Sequence, residues 1–246
     1  MKGESRMYGF WGMDPISLMI LLPAVILSLY AQTKVTSTFQ RYLKVPNAQG
    51  YTGAEVARRI LEIAGIRDVR IEPISGSLTD HYDPRSKVLR LSEPVFHGRS
   101  VAALGVAAHE AGHAIQHNEG YVFLNIRSAI VPIVSIGSRL AMPLILIGLL
   151  FGAMASSLGA IFIQLGIYLF AGVVLFQVIT LPVEFNASSR AITFLDSYGF
   201  LTTQEVKPAK KVLDAAALTY VASAAVALAN LLRFIVLFGD NGRRRD

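Results

Sequence analysis

The chain contains no cysteine. Disulfides, thiolate metal sites and cysteine nucleophiles are therefore excluded, and the sequence carries no mark of its redox compartment. Charge is scarce as well: Asp, Glu, Lys and Arg make up 16% of 246 residues, against roughly 25% in ordinary soluble domains. Apolar residues take its place, with 53% hydrophobic content and a mean hydropathy of +0.48. That balance indicates a membrane protein before any motif is read. No basic stripe interleaved with aromatics is present, which argues against nucleic acid as a partner. The net charge of +6 is scattered through polar segments and ends in "GRRRD", an arrangement suited to anionic lipid headgroups. The lipid bilayer is thus the first expected partner.

Long apolar runs organise the chain. Pro15 to Ala31 is uncharged and close to the roughly 17–25 residues that span a bilayer. Lys2 and Arg6 before it invite a signal-peptide reading, but "SLYAQTKV" is a mediocre cleavage site and the run is long for an h-region, which favours a retained anchor. Lys34 to Ser100 is polar. In it, "TGAEVARRILEIAG" reads as an amphipathic helix with a Thr52–Glu55 capping box and Gly65 as its stop. "DVRIE" and "KVLRL" alternate like half-buried strands, and the turn-rich "PISGSLTDHYDPRS" lies between them. A small antiparallel sheet is the economical expectation. Ser100 to His117 is an Ala-dense helix capped by Ser100. Three apolar stretches follow, at Ala129–Ala155, Leu158–Leu181 and Ala215–Phe238. The first two of these are joined only by "SS" and form a hairpin, which returns the polar segments before and after it to one side of the membrane. Pro182 suits the start of a new helix there.

The chemistry concentrates in "VAAHEAGHAIQH", Val106 to His117. His109, Glu110 and His113 form H-E-x-x-H. Positions i and i+4 of a helix share a face, with Cβ atoms roughly 5–6 Å apart, so both imidazoles can meet one zinc ion. Glu110 stands one position round, placed to take a proton from water activated by the metal rather than to bind it. The competing reading is a polar face of hydrogen-bonded histidines. It is the weaker one, because such groups on an apolar helix are costly to bury without a partner. His117 lies about 12 Å up the helix from His109. That is too far for one ion with bonds of about 2.0–2.1 Å. A catalytic zinc takes a third protein ligand, and Glu184 in "LPVEFNASSRA" is the best candidate. The alternative for Glu184 is a carboxylate favoured by a helix dipole. Asp196, Asp214, and Asp80, His81 and Asp83 of the "TDHYDPR" turn remain open as other ligands.

The motifs "YAQTKVTSTFQRYLKVPN", "GYTGAEVARRIL", "GSLTDHYDPRSKVLRLS", "SVAALGVAAHEAGHAIQH" and "LPVEFNASSRAI" resemble the bacterial membrane zinc metallopeptidases of the YugP type, over nearly the whole chain. The resemblance implies a neutral zinc peptidase of the bacterial cytoplasmic membrane, with His109 and His113 as ligands and Glu110 as the catalytic glutamate. It supplies no substrate. More distantly the layout is similar to HtpX-like proteases and CAAX-prenyl endopeptidases, which place a glutamate ligand on a later helix and a supporting aspartate four residues on. Glu184 matches that ligand, whereas Ser188 stands where the aspartate would be. Asn186, Ser188 or Arg190 are the candidates to replace it.

The expected fold is mainly α: a polytopic membrane protein with a zincin-like catalytic helix, a small antiparallel sheet and about four membrane-spanning helices. The expected divisions are an anchor (1–33), a catalytic segment with the sheet and the HEAGH helix (34–128), a transmembrane hairpin (129–182), a second catalytic segment with the third ligand (183–212), and a last span with a basic tail (213–246). The expected function is zinc-dependent endopeptidase action on a protein or peptide substrate, with one Zn²⁺ per chain. His81, Tyr82, His117 and Arg190 are candidates to contact substrate or stabilise the oxyanion. "KVLRL" is either an edge strand that takes substrate by β-augmentation or an ordinary strand. A non-catalytic zinc scaffold, sensor or carrier is the rival, and would tolerate Gln at position 110. A transporter is a weaker rival, because the candidate spans show no repeat. Lys34, Arg41, Lys44, Arg127, Arg190, Lys207, Lys210 and Lys211 favour a cytoplasmic catalytic side, and Lys2, Arg6, Arg233 and Arg243–Arg245 oppose it. The larger group prevails. The small residues of the last run can pack within the chain or against another copy, which leaves oligomeric state open.

Overall fold

The computed structural model describes residues 15–152 and 156–238. Lys2, Arg6 and the arginines at 243–245, used above as topology signals, lie outside the described residues. The elements in order are α1 (Pro15–Leu43), α2 (Gly53–Ile63), β1 (Arg70–Ile74), β2 (His81–Asp83), β3 (Val88–Ser92), α3 (Glu93–Phe96), α4 (Val101–Asn118), α5 (Val122–Leu150), α6 (Ser157–Ser197) and α7 (Thr203–Phe238). Four helices, α1, α5, α6 and α7, are long and apolar enough to cross a membrane. The protein is thus mainly helical with a membrane-type architecture.

The chain forms two compact units. One comprises residues 31–126 and 180–220 and contains the sheet and the larger apolar core. Phe39, Val56, Ile60, Leu89, Leu91, Leu104 and Leu195 are fully buried there. Helix α2 starts as its sequence dictates: Thr52 Oγ1 accepts from the Glu55 amide (3.2 Å) and Glu55 Oε2 accepts from the Thr52 amide (2.7 Å). Helix α4 is buried on nearly every side. Alanines at 102, 103, 107, 108 and 111 let its neighbours approach the backbone closely, as an apolar helix at the centre of a core requires.

The sheet differs from the expectation. Its strand order is β1-β3-β2. β2 and β3 form the expected antiparallel hairpin, with His81 opposite Arg90 and Asp83 opposite Val88. β1, however, runs parallel to β3, from Arg70 beside Val88 to Ile74 beside Ser92. β3, the "KVLRL" strand, is therefore central, with both sides occupied, and cannot add a substrate strand at an edge. Alternation reveals that a strand exists, but pairing is decided by burial, and β3 is the strand with Val88, Leu89 and Leu91 all buried.

The second unit comprises the described residues up to Tyr30, residues 127–179 and those from Val221 onward. It has a small core of Ile145, Ile163, Phe234 and Phe238. Large apolar side chains elsewhere on its helices face outward, Met19 at 76% and Leu150 at 85% exposure, as a lipid-facing surface demands. Helices α5 and α6 approach closely at Gly148, where a Cβ would lie 2.7 Å from the Gly159 carbonyl oxygen. Small residues at such crossings are the usual means of packing helices in lipid. Pro182 does not begin a helix, since it lies inside the continuous α6. Proline is tolerated within long membrane helices because neighbouring groups satisfy the backbone it frees.

Candidate metal centre

Helix α4 presents the site. The Ser100 hydroxyl caps it, accepting from the Ala103 amide at 3.1 Å. One turn apart on α4, the His109 and His113 rings lie edge to face, with centroids 4.7 Å apart. Glu184 reaches them from α6. Its Oε2 is 3.3 Å from His109 Nε2 and 3.5 Å from His113 Nε2, and its side chain is 2% exposed. The three donors lie within 4.8 Å of one another. A tetrahedral zinc with bonds of about 2.0–2.1 Å spaces its ligand atoms about 3.3 Å apart. The two imidazole-to-carboxylate distances match that edge, and a donor set of two nitrogens and one carboxylate oxygen suits zinc. The residues present fit the ion.

Close packing makes this convergence possible. A Cβ on Gly112 would lie 2.8 Å from the Ala187 carbonyl oxygen and 3.3 Å from its Cα. The glycine thus brings α6 against α4 between the two histidines and sets Glu184 and Ser188 on either side of the contact. Both far ring nitrogens are held. His109 Nδ1 is 3.1 Å from Ser188 Oγ and His113 Nδ1 is 3.0 Å from Gln116 Oε1. Such bonds orient the rings and leave each Nε2 for the metal. Burial disfavours a charge on His113, but the adjacent Glu184 outweighs it and its pKa is raised. The carboxylate calls for a cation beside it.

Glu110 lines a cavity of about 290 Å³ together with His109, Glu184, Ser188 and Asp80. Burial pushes its pKa up, and the histidines partly counter this. A carboxyl so tuned can accept a proton from water and return it. Asp80 is likewise raised by burial, against hydrogen bonds from Ser92.

The other expected contacts do not line this cavity. Tyr82 and His117 meet each other instead, phenol oxygen to Nδ1 at 2.8 Å, beside a separate cavity of about 210 Å³. Burial, then the Asp68 and Asp83 carboxylates, push the Tyr82 phenol up to about 12. His81 Nδ1 is bound at the Thr79 carbonyl oxygen (2.8 Å). Arg190 pairs with Glu119 at 2.7 Å. Among the alternative ligands, Asp214 pairs with Lys210 at 2.8 Å, Asp83 closes the β2–β3 turn on Arg85 and Ser86, and Asp196 stands exposed near the end of α6. Sequence reasoning missed Gln116. Its signal was available: an amide three residues after His113, on the same face of an alanine-rich helix, where burial demands partners.

The family model described as "Putative neutral zinc metallopeptidase" matches residues 17–239. The chain is 52% identical, over 226 residues, to the "Putative membrane protease YugP" of Bacillus subtilis (strain 168). That alignment covers 92% of this chain and 97% of its relative. No solved structure matches. With H-E-x-x-H and a glutamate converging among long apolar helices, and a family match over almost its full length, this chain belongs to the YugP-type family of membrane zinc metallopeptidases.

Proposed function

We propose that the protein is a membrane-embedded endopeptidase that holds one Zn²⁺ through His109, His113 and Glu184 and uses Glu110 as general base. The observation that carries this reading is the spacing of His109 Nε2, His113 Nε2 and Glu184 Oε2, at 3.3 and 3.5 Å from nitrogen to oxygen. When bound, zinc supplies Lewis acidity to a water and to the scissile carbonyl. Glu110, buried beside the ligands, takes the proton of the attacking water and delivers it to the leaving amine. Ser188 and Gln116 hold the imidazoles from behind. In this reading 34–128 and 183–212 carry the chemistry, while 1–33, 129–182 and 213–246 hold the chain in the cytoplasmic membrane with the catalytic side facing the cytoplasm.

The test is zinc content and cleavage in detergent-purified protein. About one zinc per chain is expected in wild type, lost in His113→Ala and in Glu184→Ala. Glu110→Gln should retain the zinc and lose cleavage by at least about 100-fold, the contribution of a general base. Undiminished cleavage by Glu110→Gln would remove the proposed base. A zinc scaffold, by contrast, would keep its metal-dependent role in that variant.

A further inference from the structure

We propose that Gln116 is a positioning residue that fixes the tautomer of His113, and that its own orientation is imposed by Asn186 and Arg190. The inference rests on the proposed metal-binding role of His113 and deepens it. Gln116 is fully buried, and all of its polar atoms are engaged. Its Oε1 faces His113 Nδ1 at 3.0 Å. Its Nε2 donates to the Val183 carbonyl oxygen and to Asn186 Oδ1, both at 2.9 Å. Asn186 Oδ1 also accepts from Arg190 Nε at 2.8 Å, and Arg190 Nη2 pairs with Glu119 Oε2 at 2.7 Å.

Side-chain amides look alike when turned by half a rotation, so an orientation must be argued from partners of known character. Arginine is always protonated and only donates. The Asn186 atom that faces Arg190 Nε is therefore its oxygen. An oxygen at that point, with the Val183 carbonyl beside it, offers two acceptors and no donor to Gln116. Gln116 must then turn its NH₂ toward them and its oxygen toward His113. A carboxamide oxygen only accepts, so His113 Nδ1 carries a hydrogen. In the neutral ring one nitrogen donates and the other accepts, which leaves the Nε2 lone pair aimed at the centre shared with Glu184. The permanent charge of Arg190 thus sets the ligating atom of His113 through bonds between α4 and α6. His109 is not constrained in this way, because the Ser188 hydroxyl beside its Nδ1 can donate or accept.

The arrangement also explains why the network is buried. A lone pair on His113 Nε2 facing a carboxylate oxygen 3.5 Å away is unfavourable unless a cation lies between them. With Nδ1 committed to Gln116, the ring cannot relieve that conflict by moving its hydrogen to Nε2, so the site takes up a cation there: the metal, or a second proton in its absence. The pocket is thereby set for a metal ion in advance.

The experiment uses the full-length protein in detergent, with two readouts: zinc affinity by competition with a chelator, and the ¹⁵N NMR signature of histidine tautomers in the metal-free protein, with His113 assigned by its loss in His113→Gln. At a pH high enough for the metal-free ring to be neutral, wild type should show His113 with hydrogen on Nδ1 and none on Nε2. Gln116→Leu should lose that signature and bind zinc about 10- to 100-fold more weakly, the usual effect of removing a partner behind a ligand. Should Gln116→Leu fail to fold, Asn186 provides the same test from the other end. Asn186→Asp keeps an acceptor for both Gln116 and Arg190 and should bind zinc close to wild type, whereas Asn186→Leu should not. The inference is overturned if Gln116→Leu keeps the signature and the affinity, or if Asn186→Asp falls as far as Asn186→Leu. A wild type that binds no zinc yet shows His113 with hydrogen on Nδ1 would overturn the metal reading and leave the positioning role standing.

Discussion

Asp80 ends the connection between β1 and β2 with its carboxylate turned back on Ser92, accepting from the amide at 2.7 Å and from the hydroxyl at 3.0 Å. Those bonds favour its charged form, yet burial outweighs them and its pKa is raised above the ordinary 3.8. A carboxyl whose pKa is higher folded than unfolded contributes stability below its unfolded pKa, and that contribution is lost as pH rises through the folded value. Ionised Asp80 is therefore a cost at neutral pH. Asp80→Asn keeps an oxygen for the Ser92 amide and sheds the charge. Its thermal midpoint should exceed that of wild type at pH 7 to 8, with the gain shrinking as pH falls toward 4. Equal midpoints across that range would mean that the Ser92 bonds, not burial, decide the balance. A charge kept at a cost beside Glu110 and Glu184 fits the pattern in which functional cavities hold groups that stability alone would discard.

At the scale of elements, the site depends on how closely α6 lies against α4. The Gly112 position admits no Cβ without moving the backbone at Ala187, and Glu184 and Ser188 move with it. Gly112→Ala should therefore weaken zinc binding by at least about 10-fold and cost about 1–3 kcal/mol of stability, the usual range for overpacking, while the helical circular dichroism signal is retained. Gly105→Ala on the same helix is the control. Its Cβ would meet Ala209 at 3.7 Å, an ordinary contact, and should leave zinc affinity unchanged. Equal affinity in the two variants would show that the interhelical distance does not set the site. The same contrast marks what the sequence could disclose. That His109, Glu110 and His113 stand together was legible because helix geometry is local. That Glu184 joins His109 and His113 was expected from a hairpin of two apolar runs that would return the chain to the same side. Asn186 and Arg190 were candidate supports of the site, but Gln116 was not, since its bond to Asn186 joins residues 70 positions apart and has no local period. The parallel pairing of β1 with β3 was hidden for the same reason. Pro182 misled, because its ordinary role as a helix opener gives way inside long apolar helices.

At the scale of the whole molecule, the charges flanking the apolar helices set which way the chain faces. In the orientation proposed above, 34–128 and 183–212 face the cytoplasm and the connection between α5 and α6 faces the opposite side. The lysines and arginines of those two segments argue for the cytoplasm. The lack of cysteine makes this directly testable, because any thiol introduced is the only one present. Ser77 is exposed in the β1–β2 connection, and Ser156 immediately precedes α6. With Ser77→Cys, a membrane-impermeant maleimide should label the chain only after the cells are permeabilised. With Ser156→Cys it should label intact cells. The reverse pattern would put the metal centre outside the cytoplasm and turn the search for substrates to exported chains. Labelling of both sites in intact cells would mean that α5 and α6 do not cross as a hairpin, and that Glu184 reaches His109 by another route through the membrane.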